Sequence, residues 1–191
     1  PNKEGALYAG TDNQVFYSPD DGENWLSLRN NMPSAPVYWL TIQDHFDDLV
    51  VGTYGRGFWI MDDIRPLRNL TSEVMAKELH LFSFRPTYRF YSIQGIKTDG
   101  RSHIRGENPP YGASINYYLK NDTNKPAKIE IFDGDELVRT LSGSSDSGIN
   151  RVWWDLSYEP SNTPKLRVAP PDKPWVPIRS KGWRPLVTWD L

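Results

Sequence analysis

Ser18-Pro19-Asp20-Asp21-Gly22-Glu23-Asn24-Trp25 is the stretch whose reading decides the fold. It lies between two apolar runs, Val15-Phe16-Tyr17 on one side and Trp25-Leu26 with Leu28 on the other. Proline, aspartate, glycine and asparagine clustered between strand-forming runs specify the turn of a β-hairpin rather than a free loop. Ser18 and Asp20 are placed to accept hydrogen bonds from turn amides that would otherwise lack partners. Gly22 suits a positive φ. Trp25 opens the return strand and is expected to bury its ring between neighbouring sheets.

Composition agrees with strands and turns. Aromatic residues make up 13% of the 191-residue chain, and such side chains favour half-buried pleated surfaces. The 16 Pro and 14 Gly add frequent punctuation. A formal charge of −2 with no basic stripe offers no electrostatic case for nucleic acid or an anionic membrane. No apolar run approaches the ~18 residues that a spanning helix needs. With no cysteine in the chain, disulfides, thiolate metal sites and a cysteine nucleophile are excluded. The chain starts at Pro1 and stops at Trp189-Asp190-Leu191 inside strand-like sequence, so a piece of a longer protein is expected.

Residues 1–65 read as short strands: Ala6–Thr11, the Asp20-turn hairpin with arms Gln14–Ser18 and Trp25–Leu28, a buried strand Val37–Ile42, and a second hairpin with arms Leu49–Thr53 and Phe58–Met61 across Tyr54-Gly55-Arg56-Gly57. Leu7-Tyr8-Ala9-Gly10-Thr11 parallels Val50-Val51-Gly52-Thr53 at an offset of about 42 residues, within the ~40–45 of a propeller blade. Residues 64–79 are the helix candidate, capped near Thr71-Ser72-Glu73, with Val74, Met75 and Leu79 toward a core. Residues 81–93 are extended, and residues 94–110 form a long polar loop. From Tyr111, strands at Ala113–Leu119, Ala127–Phe132, Glu136–Leu141 and Asn150–Leu156 recur at sandwich-like spacing, with a hairpin turn at Asp133-Gly134.

The spacing Ser-x-Asp-x-Gly-x-Asn-Trp at Ser18, Asp20, Gly22 and Trp25 resembles the Asp-box of sialidase-like and sortilin-like β-propellers. The hairpin 49–60 with Asp62-Asp63-Ile64-Arg65-Pro66-Leu67 is similar to the last hairpin and exit of such propellers, and 106–119, 129–141 and 148–156 resemble their C-terminal Ig-like domain. The family resembled is that of large bacterial BNR-repeat proteins classed as glycosyl hydrolase-like or sortilin-like, and the likeness covers nearly the whole chain. It implies an all-β fold: a partial β-propeller of the last one to two blades (1–65), a linker with a short helix (66–110) and an incomplete Ig-like β-sandwich (111–191). In that family the Asp-box lies away from the catalytic centre.

Several residues carry candidate chemistry. Asp20-Asp21, Asp47-Asp48 and Asp62-Asp63 are paired carboxylates, but neighbours on a strand point to opposite faces, so turn chemistry explains them better than a glycosidase pair. A sialidase needs arginines for a substrate carboxylate, and Arg56 beside Tyr54 on a hairpin tip is the local candidate for a groove; the alternative is a tight turn whose arginine packs on rings. His45, His80 and His103 stand at no metal-ligand spacing, and Asp133-Gly134-Asp135-Glu136 reads as a turn, so no metal and no cofactor is expected. Trp153 and Trp154, adjacent in one strand, should face opposite ways, leaving one ring for ligand stacking. Trp39, Trp59, Trp175, Trp183 and Trp189 add to an aromatic surplus that packs between sheets or meets sugars.

The expectation is a non-catalytic scaffold and interaction region of a secreted or periplasmic Asp-box protein, with a glycan as ligand. Part of a glycoside hydrolase and a sortilin-like peptide-binding propeller are the alternatives. Expected partners are the remainder of the propeller and a glycan or peptide, with neither nucleic acid nor a membrane span. Unpaired strand edges lead us to expect self-association of the isolated chain.

Overall fold

A computed structural model describes residues 3–90, 106, 108–160, 172 and 175. The described chain is built of small antiparallel sheets with two short helices. Strands β1 (Leu7–Gly10), β2 (Val15–Ser18) and β3 (Leu26–Ser27) form one three-stranded sheet in that order. Strands β4 (Val37–Gln43), β5 (Asp48–Thr53) and β6 (Phe58–Met61) form a second. Both follow from apolar runs too short for helices, each closed by a glycine- or aspartate-rich turn. Helices α1 (Arg65–Arg68) and α2 (Ser72–Ala76) lead to β7 (Leu79–Leu81). Strand β8 (Ala113–Leu119) lies between β7 and β11 (Gly148–Trp154), while β9 (Ala127–Asp133) and β10 (Glu136–Gly143) pair as a separate ribbon.

The first two sheets meet around a core of Val15, Met32, Leu49, Val51 and Ile64. Leu40, Ile42, Trp59 and Met61 pack against it, because β4, β5 and β6 turn alternate residues inward. The opposite face of β4–β5–β6 carries Trp39 and Phe58 across from Gly52, and Ile60 across from Val50. Trp39 and Phe58 are 71% and 81% exposed. Val37–Ile42 is therefore not a buried strand: it is an edge strand with one wet face, and a register irregularity between Val37 and Trp39 resets its alternation.

The two sheets share a local device that accounts for the internal repeat. Thr11 ends β1, and both its N–H and its hydroxyl donate to the Gln14 carbonyl, each at 3.0 Å. Thr53 ends β5, and its N–H and hydroxyl donate to the Gly57 carbonyl at 3.1 and 2.7 Å. Each threonine thus fastens the hairpin that joins β1 to β2 and β5 to β6. The sheets are staggered: β5 has β4 before it, and β2 has β3 after it.

The helix candidate 64–79 splits. Asn69 caps α1, Thr71 restarts the chain by accepting the Val74 N–H, and only Val74 of the expected core residues is buried. Met75 is exposed, and Leu79 belongs to β7, whose pairing with β8 takes it out of the helix. Strands β8 to β11 occupy the segments expected of them, and most of 94–110, together with Trp183, Trp189 and His103, lies outside the described residues.

Candidate functional site

The Ser18–Trp25 turn forms the hairpin between β2 and β3. Ser18 is fully buried; its hydroxyl accepts the Gly22 N–H and donates to Asp20 Oδ1, both at 2.8 Å. Asp20 also accepts the Asn24 backbone N–H at 2.8 Å and the Asn24 side-chain amide at 2.7 Å. These Asn24 bonds, with that from Ser18, hold the Asp20 carboxyl below its ordinary pKa. Asp21 and Gly22 both take positive φ, at 57° and 94°. Every polar atom expected to work in this turn is occupied within it. Trp25 differs from expectation: it is 43% exposed and packs beside Gly22, because β3 is a two-residue edge strand with no sheet over it.

Tyr54 and Arg56 sit on the tip of the β5–β6 hairpin, and the positive φ of Gly55 and Gly57 gives that tip its shape. Tyr54 is 71% exposed and meets Tyr38 edge-on at 5.6 Å. Arg56 offers its carbonyl to Trp59 Nε1 at 3.0 Å. Its guanidinium pairs with no carboxylate and stacks on no ring among the described residues; Arg85 does stack, over Phe46 at 5.2 Å. Trp153 and Trp154 stand opposite Ser114 and Ala113 of β8 and are both half-buried, and Trp154 donates to the Ser157 carbonyl at 2.9 Å. No hydrogen bond, ion pair or aromatic contact among the described residues joins these three sets. His45 lies 3.2 Å from the Tyr88 hydroxyl, and no cluster of three or more metal-ligating side chains occurs among the described residues.

A polar junction that the sequence reading did not single out ties β6 to β8 and β11. Asp63, buried and at φ 52°, receives Arg65 bidentately at 2.7 and 2.8 Å, and Asn116 Nδ2 at 3.4 Å. Its own N–H donates to Asp48 Oδ1 at 2.9 Å. Arg151 donates to Asn116 Oδ1 at 2.8 Å and to the carbonyls of Asp62 and Asp63 at 2.8 and 3.2 Å. Burial pushes the Asp63 carboxyl up, but the Arg65 bonds and charge outweigh it and the net shift is down. Asp62 shifts up, through burial first and the Asp48 charge second. Burial also lowers Arg151, against the opposing pull of Asp63 and Asp62. The turn reading of Asp62-Asp63 agrees with this geometry, and the available signal for the rest was Asn116, a polar residue within the buried strand Ala113–Leu119.

Beside the junction lies an open cleft of about 660 Å³. Leu28, Met32, Trp59 and Met61 line it together with the charged residues Arg29, Asp62, Asp63 and Arg151. A mixed apolar and polar cleft of that size suits a small polar molecule or an extended chain segment. No family model, curated protein or solved structure matches the chain. No helix among the described residues is long and apolar enough to cross a membrane.

Proposed function

We propose that this chain is a non-catalytic scaffold and interaction region of an extracellular or periplasmic Asp-box repeat protein, its first two sheets being successive propeller blades and its later strands an Ig-like unit. The observation that carries the reading is the Ser18–Asp20–Asn24 network, which commits the box's carboxylate to turn amides. The staggered sheets, each fastened by an equivalent threonine, support the blade assignment. A glycan is the ligand class favoured by the open rings of Trp39, Tyr54 and Phe58, because sugar faces stack on exposed aromatic surfaces. A glycan array and hydrolysis assays with sialosides and β-glucans test this. Glycan retention without turnover is expected, and turnover that is lost on Arg56→Ala would return the assignment to the hydrolase class.

A further inference from the structure

We infer that copies of this chain associate head to tail, the open face of β4–β5–β6 in one copy seating on the open face of β1–β2–β3 in the next. The inference stands apart from the glycan reading, although a sugar and a second copy would occupy the face of Trp39 and Phe58 only in turn. The repeat within the chain points to it. Counted from the two fastening threonines, residues 7–11 correspond to 49–53, and β2 corresponds to β6. The registers agree: Tyr8 pairs with Tyr17 as Val50 pairs with Ile60, and Gly10 with Val15 as Gly52 with Phe58.

Inside the chain, the face of the first sheet that bears Tyr8 and Val15 packs with the face of the second that bears Leu49, Val51, Trp59 and Met61. One face of each sheet is left open, and each is the counterpart of a covered one. Val15 and Tyr17 are both 2% exposed, whereas their counterparts Phe58 and Ile60 are 81% and 61% exposed. Leu49 is 2% exposed, whereas its counterpart Leu7 is 38% exposed. Side chains alternate along a strand, so Leu7 shares its face with Ala9 and Phe16, and Trp25 joins it beside Gly22.

A second copy seated this way repeats an interface that the chain already makes once. Two different faces that fit each other give a head-to-tail contact rather than a two-fold one. Neither face sets a charge in the middle. Trp39, Gly52 and Phe58 form one row of the β4–β5–β6 face, and Thr41, Val50 and Ile60 the next. Ala9, Phe16 and Ser27 form the central row of the other. Asp48 and Asp62 stand at one end of the first face, where Arg85 pairs with Asp48 at 3.6 Å and Arg151 binds the Asp62 carbonyl. An aromatic ring buries about 150–250 Å², so Trp39 and Phe58 with Ile60 supply on the order of 500 Å² per partner, the small end of specific interfaces. A Kd of about 10–100 μM is expected.

Sedimentation velocity on the intact chain from about 1 to 500 μM tests this. The average mass should rise with concentration and continue past the dimer, because each added copy leaves one face of each kind open. Phe58→Glu and Leu7→Glu spoil one face each by placing a carboxylate in an apolar contact, and each variant alone should lose about tenfold or more in association. Ile60→Glu and Ser27→Glu repeat the test at second positions of the same two faces, with far-ultraviolet circular dichroism as the check on folding. An equimolar mixture of the Phe58 and Leu7 variants keeps one sound pair of faces and should form a dimer that grows no further. A monomer at every concentration, association retained in the folded variants, or a folded mixture that stays monomeric would overturn the proposal. Loss in the Phe58 variant with Leu7→Glu still dimerising would overturn it in favour of a two-fold contact between aromatic faces. A glycan that binds Trp39 and Phe58 should weaken the association, whereas a chain that binds no glycan should associate all the same, so the two readings fail separately.

Discussion

Asp63→Ala removes the buried carboxylate at the junction between β6 and β8. It deletes the bidentate bond to Arg65, the bond from the Arg65 N–H at 3.3 Å and the long bond from Asn116. The Asp63 side chain is 1% exposed and that of Arg65 only 22%, so the guanidinium stranded by the change has little water to turn to. Breaking a buried pair by removing one partner costs about 3–5 kcal/mol. For a chain of this size that lowers Tm by roughly 10 °C. Asp63→Asn keeps an acceptor oxygen and should cost less, about 2 kcal/mol for the lost charge-assisted bonding. Urea unfolding followed by far-ultraviolet circular dichroism and tryptophan emission measures both variants. Arg65→Met, alone and combined with Asp63→Ala, completes the cycle: the double variant should be less destabilised than the sum of the single ones, because removing Arg65 also removes the stranded charge. A loss below about 1 kcal/mol for Asp63→Ala, or strict additivity in the cycle, would refute the view that this buried ion pair holds the turn after β6.

The same carboxyl governs acid behaviour. Its folded pKa lies below the ordinary 3.8, so its stabilisation is present above 3.8 and lost as pH falls through the folded value; Asp63→Asn should flatten the acid limb of the stability–pH curve. Asp62, shifted upward, works the other way, and Asp62→Asn should raise stability at neutral pH in the same denaturation assay. Ser18→Ala leaves the Gly22 N–H without its partner in a buried turn and should cost about 1–3 kcal/mol by urea titration. Gly112→Ala places a Cβ 1.9 Å from the Trp154 carbonyl oxygen at φ 123°, a backbone clash that should cost about 3 kcal/mol or more and appear as loss of the near-ultraviolet tryptophan signal.

Local rules recovered the elements. Alternating apolar residues and turn chemistry placed β1 to β6 and β8 to β11 to within a few residues, and the Ser18–Asn24 hydrogen bonds follow from residue types four apart or fewer. The same rules failed where partners are distant. Leu79 looked like the end of a helix because its strand partner, Leu119, stands far along the chain. Trp25 looked buried because nothing nearby reports that β3 is an edge. Trp153 and Trp154 occupy consecutive register positions on the edge strand β11, and both are half-buried.

What the sequence determined by itself was therefore everything written in short-range terms: a β-rich chain, its hairpin turns, the self-contained Ser18–Asn24 turn and the threonine that fastens each of two hairpins. What only the tertiary structure decided was which edges and faces meet. Arg151 reaches the carbonyls of Asp62 and Asp63 across 89 and 88 positions, and Asn116 bridges to Asp63 across 53. No periodicity encodes such pairings, because they depend on how whole sheets stack once each has buried its own apolar face. The cleft has the same origin: its lining comes from residues as distant as Val15, Leu49, Asn116 and Arg151.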